Sequence, residues 1–101
     1  MAIKSVKKTK FPMGLQAVLW SLNVSSLDMT RDRGYIIHQV LAYGSAAHIR
    51  WLLKTYPGTT IRAEVKNHPH RIYSKPAFNF LQQILFPTLT LNRNRYVKTI
   101  F

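Results

Sequence analysis

Short blocks of apolar residues, spaced for one face of a helix, recur along this chain, and each is cut off by Pro, Gly or Ser. Isolated helices of fewer than about 12–15 residues are marginal in water, so such blocks are stable only when they bury their stripes against one another. Residues 12–21 carry Leu15, Val18 and Leu19 behind Pro12. Thr30 is placed to cap a second helix with Asp32 in its first turn, and Ile36, Ile37, Val40 and Leu41 give its buried face up to Gly44. Ser45 opens a third block over 46–56 with Ile49, Leu52, Leu53 and Tyr56 inward, closed by Pro57-Gly58. Ile61 and Val65 mark a fourth over 60–67. Ser74 and Pro76 start a fifth, with Phe78, Leu81, Ile84 and Leu85 as its stripe and Pro87 as its limit. The pattern predicts an all-α fold, a compact bundle of four to five short helices.

The two ends differ from this body. Residues 1–10 form a basic N-terminal arm with Lys4, Lys7, Lys8 and Lys10, residues 11–87 the helical domain, and residues 88–101 a basic C-terminal tail. In the tail, Leu89-Thr90-Leu91 alternates and Tyr96-Val97 is rich in strand formers, with 92–95 free to turn. A β-hairpin and a disordered basic tail are both open readings.

Charge limits the chemistry. Lys and Arg number 15 against 3 acids (Asp28, Asp32 and Glu64), for a formal charge of +12 on 101 residues. Such a domain repels itself and attracts polyanions, nucleic acid first among them. Three carboxylates, with ordinary helix and loop roles open to each, leave little for acid–base catalysis, so the chain is not expected to be an enzyme. Cysteine is absent. The pair His68-Pro69-His70 lacks the helical spacing and the nearby acids of a metal site, and His38 and His48 are isolated by spacing. No glycine-rich phosphate loop occurs, so neither a metal nor another cofactor nor a small-molecule substrate is expected. No apolar run is long enough to cross a membrane or to serve as a signal peptide, and the expected location is cytoplasmic.

Candidate contacts follow from the charge pattern. Arg50/Lys54 and Arg62/Lys66 are i, i+4 pairs on consecutive helices, and together they would make one positive strip for backbone phosphates. Arg71, Lys75, Arg93, Arg95 and Lys98 extend the set beside the four lysines of the arm. Trp20, Tyr35, Tyr43 and Tyr56 sit at helical positions and read as core. Trp51 lies off its helix's apolar stripe, and Tyr73 and Tyr96 lie among basic residues, so these three are the candidates for stacking. The second and third helices, joined through Gly44, are helix-turn-helix-like.

An ordered series runs through the body: Leu19-Trp20, Leu27-Asp28, Arg31-Asp32, Ile36-Ile37-x-Gln39-Val40-Leu41-x-Tyr43-Gly44, Arg50-Trp51-Leu52 and Thr55-Tyr56, then Ser74-x-Pro76, Asn79-Phe80 and Leu85. Over roughly residues 15–86 it resembles a family of small bacterial and archaeal helical proteins classed as a domain of unknown function. The resemblance implies an all-helical, helix-turn-helix-like domain without assigned catalysis, and an antitoxin-like role beside a nucleotidyltransferase-type toxin. It supplies no functional residues. The chain departs from that pattern at Ser45-Ala46-Ala47-His48, where relatives are often acidic or mixed in charge, and in its basic tail.

The sequence therefore points to a non-enzymatic nucleic-acid-binding protein that grips phosphates through its arms and the helix strip, on DNA or RNA. The alternatives are an antitoxin-like module covering an acidic protein partner and a ribosome- or RNA-associated structural protein.

Overall fold

In the computed structural model, which describes residues 14–21 and 24–98, the apolar blocks form five helices. They are α1 (Leu15–Val18), α2 (Arg33–Tyr43), α3 (Ala46–Thr55), α4 (Gly58–Asn67) and α5 (Lys75–Phe80), the last continuing as a π-helical turn, Leu81–Leu85. Single 3-10 turns lie at Val24–Ser26 and Arg93–Arg95. Among the described residues there is no strand, and the only β pairing is an isolated parallel bridge between Tyr73 and Val97. The molecule is a small all-α bundle. No helix of the described residues is long and apolar enough to cross a membrane.

Helix α2 is the hub, and α1, α3, α4 and α5 all pack on it. Its residues 36–41 are buried without a break, with Ile36, Ile37 and Val40 wholly enclosed. Leu15, Leu19, Leu52, Ile61, Val65, Leu81 and Tyr73 close around them. Each such burial is worth roughly 1.5–3 kcal/mol. Gln39 is buried too, and its amide donates to the Val18 carbonyl at 2.9 Å, which ties the end of α1 to the hub.

The start of α2 departs from expectation. Thr30 does not cap it. The Asp28 carboxylate accepts the backbone N–H groups of Thr30 and Arg31 at 2.9 and 2.8 Å, and the Asp28 N–H donates to the Asp32 carboxylate at 3.0 Å. The helix begins only at Arg33, with Asp32 at its N-cap position, so Thr30 lies too far upstream to cap it. At the other end, a Cβ on Gly44 would lie 2.6 Å from the Val40 carbonyl oxygen, so the α2–α3 junction closes only around glycine. Ser45 caps α3 as its sequence suggests, in a reciprocal box with the His48 ring as the second partner.

Two inward assignments fail. Leu53 and Ile84 are exposed, at 45% and 65%. The helix carrying Ile84 leaves α geometry after Phe80, and the Phe86 N–H bonds to the Leu81 carbonyl five residues back. A π turn shifts the phase of a 3.6-residue stripe, so Leu81 remains inside while Ile84 swings out. Leu53 lies on the flank of α3 that faces this turn, while Trp51 is half buried against the core. Trp20 and Tyr43, read as core, are exposed as well.

The tail forms neither a hairpin nor a loose arm over its described residues. Gln82 holds its first part, donating to the Leu89 carbonyl at 2.5 Å and accepting the Leu91 N–H at 3.1 Å. Tyr96 holds its second part, donating its hydroxyl to the Val65 carbonyl at 2.5 Å. The Tyr73 N–H donates to the Tyr96 carbonyl and the Lys98 N–H to the Tyr73 carbonyl, both at 2.9 Å. One glutamine side chain thus satisfies the backbone groups that a second strand would have satisfied.

Gln82→Ala removes those bonds without touching the apolar core. Its expected cost is about 1–3 kcal/mol, with the Leu91 amide losing hydrogen-exchange protection ahead of residues 36–41. Uniform loss of protection along the chain would contradict this role for Gln82.

Candidate functional site

Two of the three acids, Asp28 and Asp32, are occupied away from the basic surface. Arg31 makes a bidentate contact with Asp32, 3.1 and 3.0 Å long. That guanidinium, with the Asp28 N–H, holds the Asp32 carboxyl below the usual carboxylate range, and the N–H groups of Arg31 and Thr30 do the same for Asp28. Glu64 is turned inward toward His38. Among the described residues, Arg31 is the only Lys or Arg within ion-pair distance of a side-chain carboxylate. The remaining described Lys and Arg residues, most of them exposed, have no carboxylate within ion-pair distance.

A polar surface lies on α4. Arg62, Lys66, Thr59, Ala63 and Asn67 line a depression of about 230 Å³. It shares Thr59, Ala63 and Asn67 with a neighbouring one of about 280 Å³, completed by Arg33, Thr60, Glu64 and His68. Three cations, two hydroxyls and an amide thus line adjoining depressions along one helix, together with the Glu64 carboxylate and the His68 ring. The start of α4 adds to them, because Pro57 precedes it and no side chain caps its first amides. Arg33, Thr59, Thr60 and Asn67 were not singled out from the sequence. For Arg33 there was a signal: it is a cation in the first turn of α2, where the helix dipole disfavours positive charge.

The expected single strip is divided. Arg62 and Lys66 belong to the α4 surface, whereas Arg50 lines a different cleft of about 480 Å³, with Ala46, Ile49, Leu53, Phe80, Ile84 and Leu85. Lys54 is exposed on the same helix as Arg50.

The docked tail gathers a second basic group. The Arg71 guanidinium donates to the Asn94 carbonyl at 3.0 Å, which sets it beside the turn carrying exposed Arg93 and Arg95. Lys75 and Lys98 line one pocket with Ser74, Pro76 and Val97. Two of the expected stacking residues are corrected: Tyr73 and Tyr96 are 0% and 3% exposed and act as core rings with bonded hydroxyls, so neither offers a face. Burial pushes both phenols above their ordinary range. Trp51 is half buried. Lys4, Lys7, Lys8 and Lys10 lie outside the described residues.

One polar cluster was invisible in sequence. His38 is wholly enclosed on α2. Its Nδ1 lies 2.8 Å from the Tyr73 hydroxyl, its ring stacks on His70 at 3.9 Å, and its Nε2, without a hydrogen-bond partner, faces Glu64 Oε2 at 3.9 Å. Gly34 leaves the room for that carboxylate, since a Cβ there would lie 2.8 Å from it. Burial first, then the charge of His70, lowers the His38 pKa from 6.5 to about 4, against the smaller pull of the His68 and Glu64 carbonyls. His38 is therefore neutral at pH 7, and its approach to Glu64 is not an ion pair there. Among the described residues no three His, Cys, Asp or Glu side chains are grouped to hold a metal ion.

A family model described as a family of unknown function, DUF6922, matches residues 15–65, half of the chain, and the chain belongs to that family. The match spans α1 through most of α4 and stops before α5 and the docked tail. No curated protein and no solved structure matches the chain.

The His38 geometry has a defined pH signature. The unfolded imidazole binds a proton below about 6.5, while the folded one refuses it until about 4, so the unfolded state holds more protons in between. Stability from this group is complete above pH 6.5 and is lost as pH falls toward 4, by about 3 kcal/mol across the window. Urea melts between pH 4 and 7, with the His38 ring followed by NMR, test this, and a ring that titrates near 6.5 would contradict it.

Proposed function

We propose that this protein is a non-enzymatic, cytoplasmic nucleic-acid-binding protein that grips the phosphate backbone. The observation that carries the reading is the α4 surface, where Arg62 and Lys66 with Thr59 and Asn67 line one depression and Arg33 lines the adjoining one, so that three cations stand against the single carboxylate of Glu64, which is turned toward His38. Guanidinium and ammonium groups neutralise phosphates, while hydroxyl and amide groups add directional hydrogen bonds that fix register without reading sequence. Arg71, Lys75, Arg93, Arg95 and Lys98 extend the contact, and the lysines of residues 4–10 add charge from the N-terminal side. A helix-turn-helix use of α2 and α3 belongs to the same proposal, with Arg50 and Lys54 as its phosphate or base contacts.

An antitoxin-like module is the second reading, and the apolar cleft between α3 and the π turn favours it. Leu53 and Ile84 stand exposed there beside Arg50, which suits an acidic protein segment with an apolar face.

Salt dependence tests the first reading. Neutralising about five to seven phosphates on duplex DNA gives a slope of log K against log salt of roughly −5 to −6. Arg62→Ala with Lys66→Ala should flatten that slope by about 2 at unchanged fold, since each lost contact accounts for roughly 0.9. Fluorescence anisotropy from 50 to 300 mM salt measures both. Binding that does not vary with salt, or a double variant with an unchanged slope, would overturn the role of the α4 surface.

A further inference from the structure

Trp20 is the most exposed aromatic side chain among the large hydrophobic residues of the described chain, at 58%. It follows α1, where Leu15, Val18 and Leu19 are buried, so its neighbours fix its backbone while its side chain stays outside. The indole is nevertheless not loose. It meets the Tyr43 ring edge-on, with centroids 5.0 Å apart and planes at 63°. Tyr43 ends α2, and its own ring carries the Lys98 ammonium 5.5 Å from its centroid. Lys98 is placed there by the tail's docking, through its backbone bond to Tyr73. Three residues far apart in sequence thus form a surface cluster of an oriented indole, a supporting phenol ring and a cation.

Leaving an indole this exposed forgoes the burial that would stabilise the fold, and nothing in the core requires a Trp at this position. The arrangement does match what an unpaired nucleobase needs. A flat π surface held at a fixed angle accepts a base by stacking, and an ammonium over the adjoining ring takes the neighbouring phosphate. Lys75, which shares a pocket with Lys98, continues the positive path for the next nucleotide. A paired base in a duplex keeps its faces inside the stack and cannot use the indole. The same surface therefore distinguishes strand state, which phosphate contacts alone do not.

We infer that Trp20, oriented by Tyr43, whose ring also carries the Lys98 ammonium, is a stacking site for an unpaired base of single-stranded nucleic acid. The inference rests on the nucleic-acid reading above and adds that the preferred ligand is unpaired. Trp20 touches the base, Lys98 its phosphate, and Tyr43 acts as a positioning residue.

The test uses the full chain with Trp51→Phe, which leaves Trp20 as the single indole. The probes are a ten-residue oligouridylate, a ten-residue oligodeoxythymidylate and a ten-base-pair DNA duplex. Single strands are expected to quench Trp20 emission, with a midpoint that matches binding followed by anisotropy. Trp20→Ala should weaken single-strand binding about tenfold or more and leave duplex binding within about twofold. Trp20→Phe should restore most of the loss, and an unchanged melting temperature excludes a folding defect. Salt-dependent binding with no quenching, or equal losses on single and double strands, would overturn the stacking site while leaving the nucleic-acid reading in place. Absence of binding to all three probes would overturn both.

Discussion

Helix α2 is buried on every side through six consecutive residues, 36 to 41, and the rest of the molecule is arranged to meet that condition. A helix with one apolar stripe needs one neighbour, whereas one enclosed all round needs neighbours on every flank, and α1, α3, α4 and α5 supply them. Two of the six residues are polar, and their needs decide how those neighbours sit. Gln39 reaches the last carbonyl of α1. His38 meets the Tyr73 hydroxyl, and Tyr73 bonds on both backbone sides to the tail. The apolar residues of α2 drive collapse, but its two polar residues link the hub to the first and last segments of the fold.

What could be read in advance follows from which forces are local. The five helices and the caps at Ser45 and Ser74 are set by residues within a turn of each other, and they were legible. The inward positions of Ile61, Val65, Phe78 and Leu81 followed from simple period. Ile84 did not, because a single π turn shifts the phase of everything after it, and that turn depends on where the chain must go next. The tail was unreadable for a similar reason. Its alternating residues suit a strand, but the partner for its amides is the Gln82 side chain and the Tyr73 backbone, both of which only the fold brings near. Of the candidate site, the exposed pairs were visible from their spacing. Arg33 was visible only through its awkward place at a helix start, and the burial of Tyr73 and Tyr96 was not visible at all. Basic neighbours in sequence suggested a surface, yet each phenol hydroxyl has a hydrogen-bond partner on another segment.

The charge distribution gains meaning from the same packing. A chain with +12 and three acids could have used its acids to offset cations on the surface. It uses Asp28 and Asp32 to build one turn and Glu64 to face a buried imidazole. The self-repulsion that remains works against the compact state, and a bound polyanion relieves it. Relief alone is not stabilisation, because the unfolded chain carries the same cations and binds the same polyanion. Mass action favours the fold only to the extent that the folded state binds better. That margin depends on geometry: on Arg33 set across from Arg62 and Lys66 by the α2–α4 packing, and on Lys75 and Lys98 joined by the docked tail. Both arrangements vanish on unfolding. Among the described residues, the part of any polyanion affinity that adds to stability therefore resides in these fold-dependent groupings.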